Sequence, residues 1–181
     1  LLLTSLKAKY PVLFMEHRWL HETTGDVPME PYEIPFGKAG VKRRGNDLTI
    51  VAVSHMVVES LKAASALEQE GISVEVCDLR TVSPVDWKTI AESVSKTGRL
   101  IVADTGWRSF GMSAEIAAQV YEKIGEDLKA PVGRIALPDG PTPCASALEN
   151  LYYPGVDAIV RTAKDLLSSR EKNKPSASRQ K

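Results

Sequence analysis

The chain has little cysteine, no surplus of charge of either sign and no long apolar run, and each shortage excludes something. Two cysteines, Cys77 and Cys144, are too few among 181 residues for a disulfide framework, so both are expected as reduced thiols in a reducing compartment. No apolar stretch approaches the roughly 18 residues that a membrane-spanning helix needs, so no membrane partner is expected. Lys plus Arg and Asp plus Glu number 23 each, which removes the basic field that nucleic acid would attract. There is no G-x-G-x-x-G and no phosphate-loop lysine, so no nucleotide is signalled. An initiator Met is also missing, as is a basic region ahead of an apolar core and cleavage site. No signal peptide is expected, and a start inside an apolar-periodic segment reads as a cut rather than a natural terminus.

What is present is ordinary globular material, 43% apolar and 25% charged, enough for one domain with a piece attached. The charge balance hides an asymmetry. Residues 168–181 carry five basic residues and one acid, net +4, which leaves net −4 on the body. This polar, Ser- and Lys-rich tail is expected to be disordered and solvated.

Along the chain, residues 1–9 read as the end of a helix with Leu2, Leu3 and Leu6 on one face, and Val12-Leu13-Phe14-Met15 as a buried strand after Pro11. Residues 1–20 are expected to be the remnant of an upstream domain that once covered them. Three prolines in eight residues, Pro28, Pro31 and Pro35, describe an extended linker over 21–37. A single domain is expected over 38–167. Strands are expected at 38–43, 48–53, 74–79, 99–104 and 132–137. The helices between them fall at 56–70, at 113–124, at 156–167, and from Ser83-Pro84 onward in capping-box style. Strands alternating with helices imply an α/β fold, a doubly wound and mostly parallel sheet with helices on both faces.

In such a sheet, ligands bind beyond the carboxyl ends of the strands at the switch in strand order. Those ends carry Ser54-His55, Leu79-Arg80-Thr81, Asp104 to Arg108, and Asp139-Gly140. The mixture of His, Arg and Asp could serve acid–base work, but helix capping and ion pairing account for it more economically, and no catalytic residue is assigned. The loop from Gly106 to Ser113 leaves three options: an anion on its amides, a protein contact through its aromatics, or burial of Trp107 and Phe110 in the domain's own core. His17 and His21 have the spacing of a zinc pair. They lack a third ligand and helical context, and ordinary hydrogen-bonded histidines are expected. Neither cysteine has the neighbours of a nucleophile.

Three motifs now carry a family resemblance: Asp78-Leu79-Arg80-Thr81 with Ser83-Pro84 and Asp86; Lys96-Thr97-Gly98-Arg99; and residues 111–116 opening a helix. Pro138-Asp139, Pro141-Thr142-Pro143 and Tyr153-Pro154 agree, and upstream so do residues 11–17 and Val27-Pro28. The sequence resembles the transketolase C-terminal-type domain, and within it the beta subunit of thiamine-diphosphate-dependent 2-oxoacid dehydrogenases of pyruvate, branched-chain or acetoin type. The resemblance implies five strands, one antiparallel at 38–43. It implies thiamine diphosphate and Mg²⁺ in the full enzyme but not on this fragment, because the activating glutamate and active-site histidine belong upstream and the diphosphate to the alpha subunit. Implied partners are that alpha subunit, a second beta subunit and a lipoyl acyltransferase core. The implied location is the cytoplasm of a bacterium or the mitochondrial matrix of a eukaryote. Ser54-His55 stands where relatives often have Gly-Ser, and Cys144 replaces a usual aromatic. Ala8 replaces an acid common in relatives that bind K⁺, so that ion is not assigned. Trp107, Arg108 and Phe110 are the expected subunit-interface residues. A free-standing assembly module, or the last domain of a transketolase or deoxyxylulose-phosphate synthase, is the alternative.

Overall fold

The computed structural model describes residues 1–172. Five strands form one sheet: β1 (Gly40–Arg43), β2 (Leu48–Ala52), β3 (Val74–Asp78), β4 (Leu100–Trp107) and β5 (Gly133–Leu137). Their order is β1-β3-β2-β4-β5. β1 runs antiparallel to β3, and the pairs β2–β3, β2–β4 and β4–β5 are parallel. The fold class and the antiparallel strand agree with expectation.

The sheet is covered on both sides because its strands are apolar on both sides. All five residues of β2 are buried. Leu48, Ile50 and Ala52 meet α2 (His55–Glu68) and α6 (Val156–Lys172), whereas Val51 packs with Ile90 and Val94 of α3 (Trp87–Thr97) and Ile116 of α4 (Met112–Ile124). Parallel strands buried on two faces lose the polar alternation of a one-sided sheet. One polar intrusion is fully paired. Glu75 on β3 is 1% exposed; it accepts from Ser93 Oγ, from Lys96 Nζ and from the Gly45 amide at 3.3 Å. Burial alone would raise its carboxyl, but the bonds from Lys96, Ser93 and Gly45 outweigh it and hold Glu75 below the usual range.

Several local expectations need correction. Residues 12–15 form no strand; Leu13 is 86% and Met15 82% exposed, because no strand among the described residues pairs their backbone groups. The short helix α1 (Leu2–Lys7) does form, and Arg18–Leu20 make a 3₁₀ turn. α3 starts after Asp86 rather than at Ser83-Pro84, whose peptide bond is cis. Asp86 bonds the Thr89 amide at 3.2 Å, its hydroxyl at 2.8 Å and the Ala39 amide at 3.0 Å, so one carboxylate caps the helix and ties down the approach to β1. A further helix, α5 (Ser146–Tyr152), lies where none was expected. α6 runs to Lys172, past the expected end at 167 and into the supposed tail. Ile159, Ala163 and Leu166 anchor it, and good helix formers extend an anchored helix at little cost. The remainder of the tail, 173–181, lies outside the described residues. No helix among the described residues is long and apolar enough to cross a membrane.

Candidate functional site

The chain moves from β2 to β3 on one side and then crosses to β4 on the other, so the switch in strand order lies between the carboxyl ends of β2 and β4. Three residues other than glycine have positive φ among the described residues: Ser54 at 56°, Arg80 at 60° and Phe110 at 56°. Each follows the carboxyl end of a strand, β2, β3 and β4 in turn. Strain of this kind costs about 1–3 kcal/mol per residue and gathers where a fold presents groups for use.

Beyond β4 the strand is longer than its apolar run suggested. Register slips between Ala103 and Trp107, and pairing resumes at Trp107 with Leu137. Asp104 sits inside the slip and accepts from the amides of Thr105 and Gly106. Burial pushes its carboxyl up and these two amides partly oppose that. Asp104 therefore shapes the bulge within its own strand and caps no helix, since α4 begins after Gly111 with no side-chain cap.

The bulge ends in a supported finger. Ser109 bonds Asp139 through its amide at 2.9 Å and its hydroxyl at 2.6 Å, and these bonds hold the exposed Asp139 carboxyl below its usual range. Arg134 of β5 donates to the Arg108 carbonyl and, at 3.3 Å, to Ser113 Oγ. Gly111 closes the turn, and a methyl group there would stand 2.1 Å from the Trp107 carbonyl oxygen. Trp107 is 57% exposed and Phe110 105%. Burial of these rings in the domain's own core, one of the three options for this loop, does not hold.

Beyond β2 lies a second cluster that sequence reasoning missed. His55 starts α2, with His17 stacked at 5.1 Å and Trp19 edge-on at 5.0 Å. Trp19 also meets Tyr153 at 4.9 Å, and Tyr152 bonds the Gly140 carbonyl at 2.6 Å. Burial lowers the basicity of both His17 and His55, and for His17 the neighbouring His55 adds to it. His17 and His21 are not a metal pair: His21 faces Glu16 at 3.4 Å while His17 lies on His55. Among the described residues no group of three His, Cys, Asp or Glu could hold a metal ion. Cys77 is buried beside Ser93 Oγ at 3.6 Å, burial raises its thiol, and Cys144 is exposed. The only sequence signal for the cluster was Ser54-His55 itself, since the rings packed on His55, Trp19 and His17, lie 36 and 38 positions away.

The family model described as "Transketolase, C-terminal domain" matches residues 37–159, more than half of the chain. The chain belongs to the transketolase C-terminal domain family. The match begins inside the expected linker, ahead of β1, and stops within α6. The family member is also similar to the pyruvate dehydrogenase E1 component subunit beta of Staphylococcus aureus, 44% identical over 168 residues, which cover 92% of this chain and 51% of the relative. The same protein of Staphylococcus epidermidis matches at 44% over the same share. This chain thus spans about half the length of the curated relatives it matches. Among solved structures, a "Split gene transketolase, inactive beta4 tetramer" superposes with a TM-score of 0.67 at 27% identity, covering 76% of this chain and 44% of that one. The homology to the E1 beta subunit agrees with the resemblance drawn from the motifs.

Proposed function

We propose that this chain is the carboxyl-terminal portion of the beta subunit of a thiamine-diphosphate-dependent 2-oxoacid dehydrogenase, and that its role there is assembly. The parent enzyme decarboxylates a 2-oxoacid and passes the acyl group to a lipoyl arm, with thiamine diphosphate as electron sink. Partners in this reading are an alpha subunit, a second beta subunit and a lipoyl acyltransferase core. The compartment in this reading is the cytoplasm of a bacterium or the mitochondrial matrix of a eukaryote. Residues 1–20 act as the end of an upstream domain, 21–37 as a linker, and 38–167 as the assembly domain.

The residues at the switch point do not fit the cofactor. Its diphosphate calls for amides or cations, and its Mg²⁺ for clustered oxygens. The cavity beside His55 presents Glu59 and Glu149, of the same sign as the diphosphate, and in the glycine loop before α4 the Ser109 amide is already bonded to Asp139 and Arg134 to the Arg108 carbonyl and Ser113 Oγ. Titrating residues 1–181 with thiamine diphosphate and Mg²⁺ in a calorimeter should therefore give no micromolar binding. Micromolar binding would place cofactor residues in this half of the subunit.

The observation that carries the assembly role is Phe110, fully exposed on a backbone of positive φ and braced by Ser109, Asp139 and Arg134. A stiff, pre-formed aromatic anchor loses little entropy on docking. Trp and Arg beside it, at Trp107 and Arg108, are the residue types that most often dominate binding energy. In the full-length subunit, Trp107→Ala and Phe110→Gly should each weaken assembly by about 2 kcal/mol, seen by light scattering. Phe110→Gly should also raise the melting temperature slightly, because glycine relieves the positive φ. Unchanged assembly in both variants would move the contact elsewhere.

A further inference from the structure

We propose that the cavity beside the amino end of α2 is a binding site for an organic cation, an alkylguanidinium or alkylammonium group. The inference is independent of the assembly role above. The cavity has a volume of about 170 Å³, room for roughly five waters or one small cationic head group. It lies at the carboxyl end of β2, the switch point where doubly wound sheets take ligands. Trp19 and Tyr153 supply aromatic walls, Glu59 and Glu149 supply carboxylates, and among the described residues no Lys or Arg lines it.

This combination selects for charge and for shape. A cation gains from the ring faces and from the carboxylates together, whereas a neutral guest gains from neither to the same degree. Glu59 is the less solvent-screened of the two carboxylates, its side chain being only 13% exposed. Its Oε1 accepts from Lys62 at 2.8 Å, but that lysine is 60% exposed, and an ion pair to so exposed a lysine is readily exchanged. The other oxygen, Oε2, lies 3.6 Å from where a methyl group on Gly155 would stand, so the glycine leaves open space in front of it. His55 does not cancel the acids, since burial keeps its ring neutral near pH 7. A free metabolite and an Arg or Lys side chain of a partner share this chemistry.

The test uses the full chain and 1-butylguanidinium, following the Trp19 indole resonance by NMR, with butylurea as its uncharged counterpart. Butylguanidinium should give a saturable shift and butylurea none. Glu59→Gln should weaken binding about tenfold, and Lys62→Met, which removes the competing cation, should tighten it. Gly155→Val should fill the space and abolish binding while circular dichroism reports an intact fold, which keeps the test decisive if the Glu59 variant is unstable. Equal binding of Nα-acetyl-arginine methylamide would indicate a partner's side chain, and its exclusion a free cation. Butylurea binding as well as butylguanidinium, or both Glu59→Gln and Gly155→Val leaving affinity unchanged, would overturn the proposal.

Discussion

Gly45→Ala is expected to destabilise the domain by about 4 kcal/mol, the sum of overpacking and lost hydrogen bonds. An added methyl group would stand 2.1 Å from the Val74 carbonyl carbon and 2.3 Å from the Glu75 nitrogen. Both obstacles are backbone atoms of β3, so no side chain can turn aside. The lead into β2 must move away instead. That motion strains the bonds from the Asn46 and Asp47 amides to the Ser73 carbonyl, at 3.1 and 2.8 Å, and the Gly45 amide's bond to Glu75. Chemical denaturation should place the loss in the midpoint rather than the slope. Gly140→Ala is the control, since nothing among the described residues lies within 4 Å of a methyl group there. Similar midpoints for the two variants would mean that the β2–β3 approach is looser than these distances require.

Lys96→Met should cost about 3 kcal/mol near neutral pH, because it leaves the Glu75 carboxylate in the core without its cation. Lys96 is 39% exposed and loses little packing when its charge goes, whereas Glu75 cannot reach water. The pH dependence supplies a second reading. In the native protein the Glu75 carboxyl is held below its ordinary value, so its contribution is present above the unfolded carboxylate range and is lost as pH falls through the folded value. In the variant, burial is no longer outweighed and the neutral acid is favoured. The gap between the two proteins should therefore narrow as pH falls toward 4, where Glu75 can protonate. Melts at pH 7 and pH 4 would measure this, and a gap independent of pH would assign the loss to packing alone.

These two sites differ in how far the sequence reveals them. Gly45-Asn46-Asp47 is legible as a turn, but not that its first residue lies against the backbone of β3. Glu75 lies within Val74-Glu75-Val76-Cys77, an alternation that reads as a strand, yet its partners Ser93 and Lys96 come from another helix. The Lys96-Thr97-Gly98-Arg99 motif marked the family without revealing that its lysine neutralises a buried acid.

The candidate site divides in the same way. Trp107, Arg108 and Phe110 were legible as candidates in a glycine-flanked aromatic loop after an apolar strand, but core, anion and partner remained equal options until the exposure of Phe110 removed the first. The chemistry around His55 was not found at all. His17, Trp19 and Tyr153 have no periodic relation to it, and the cavity exists only where Trp19 and residues 149–155 meet the start of α2.

The sequence by itself determined the α/β class and the five strand positions, because hydrophobic period and turn residues are local signals that each element carries; the family and the antiparallel edge came from the resemblance of its motifs. It also carried the start of α6 in Val156 and its apolar stripe, though not its end. Tertiary structure decided the rest: the failure of 12–15 to form a strand, the cap at Asp86, the bulge at Asp104 and the cluster on His55. Each depends on which groups find partners across the fold. A strand without a neighbour leaves its amides unpaired, and a carboxylate caps or kinks the chain according to which amides the packing brings to it.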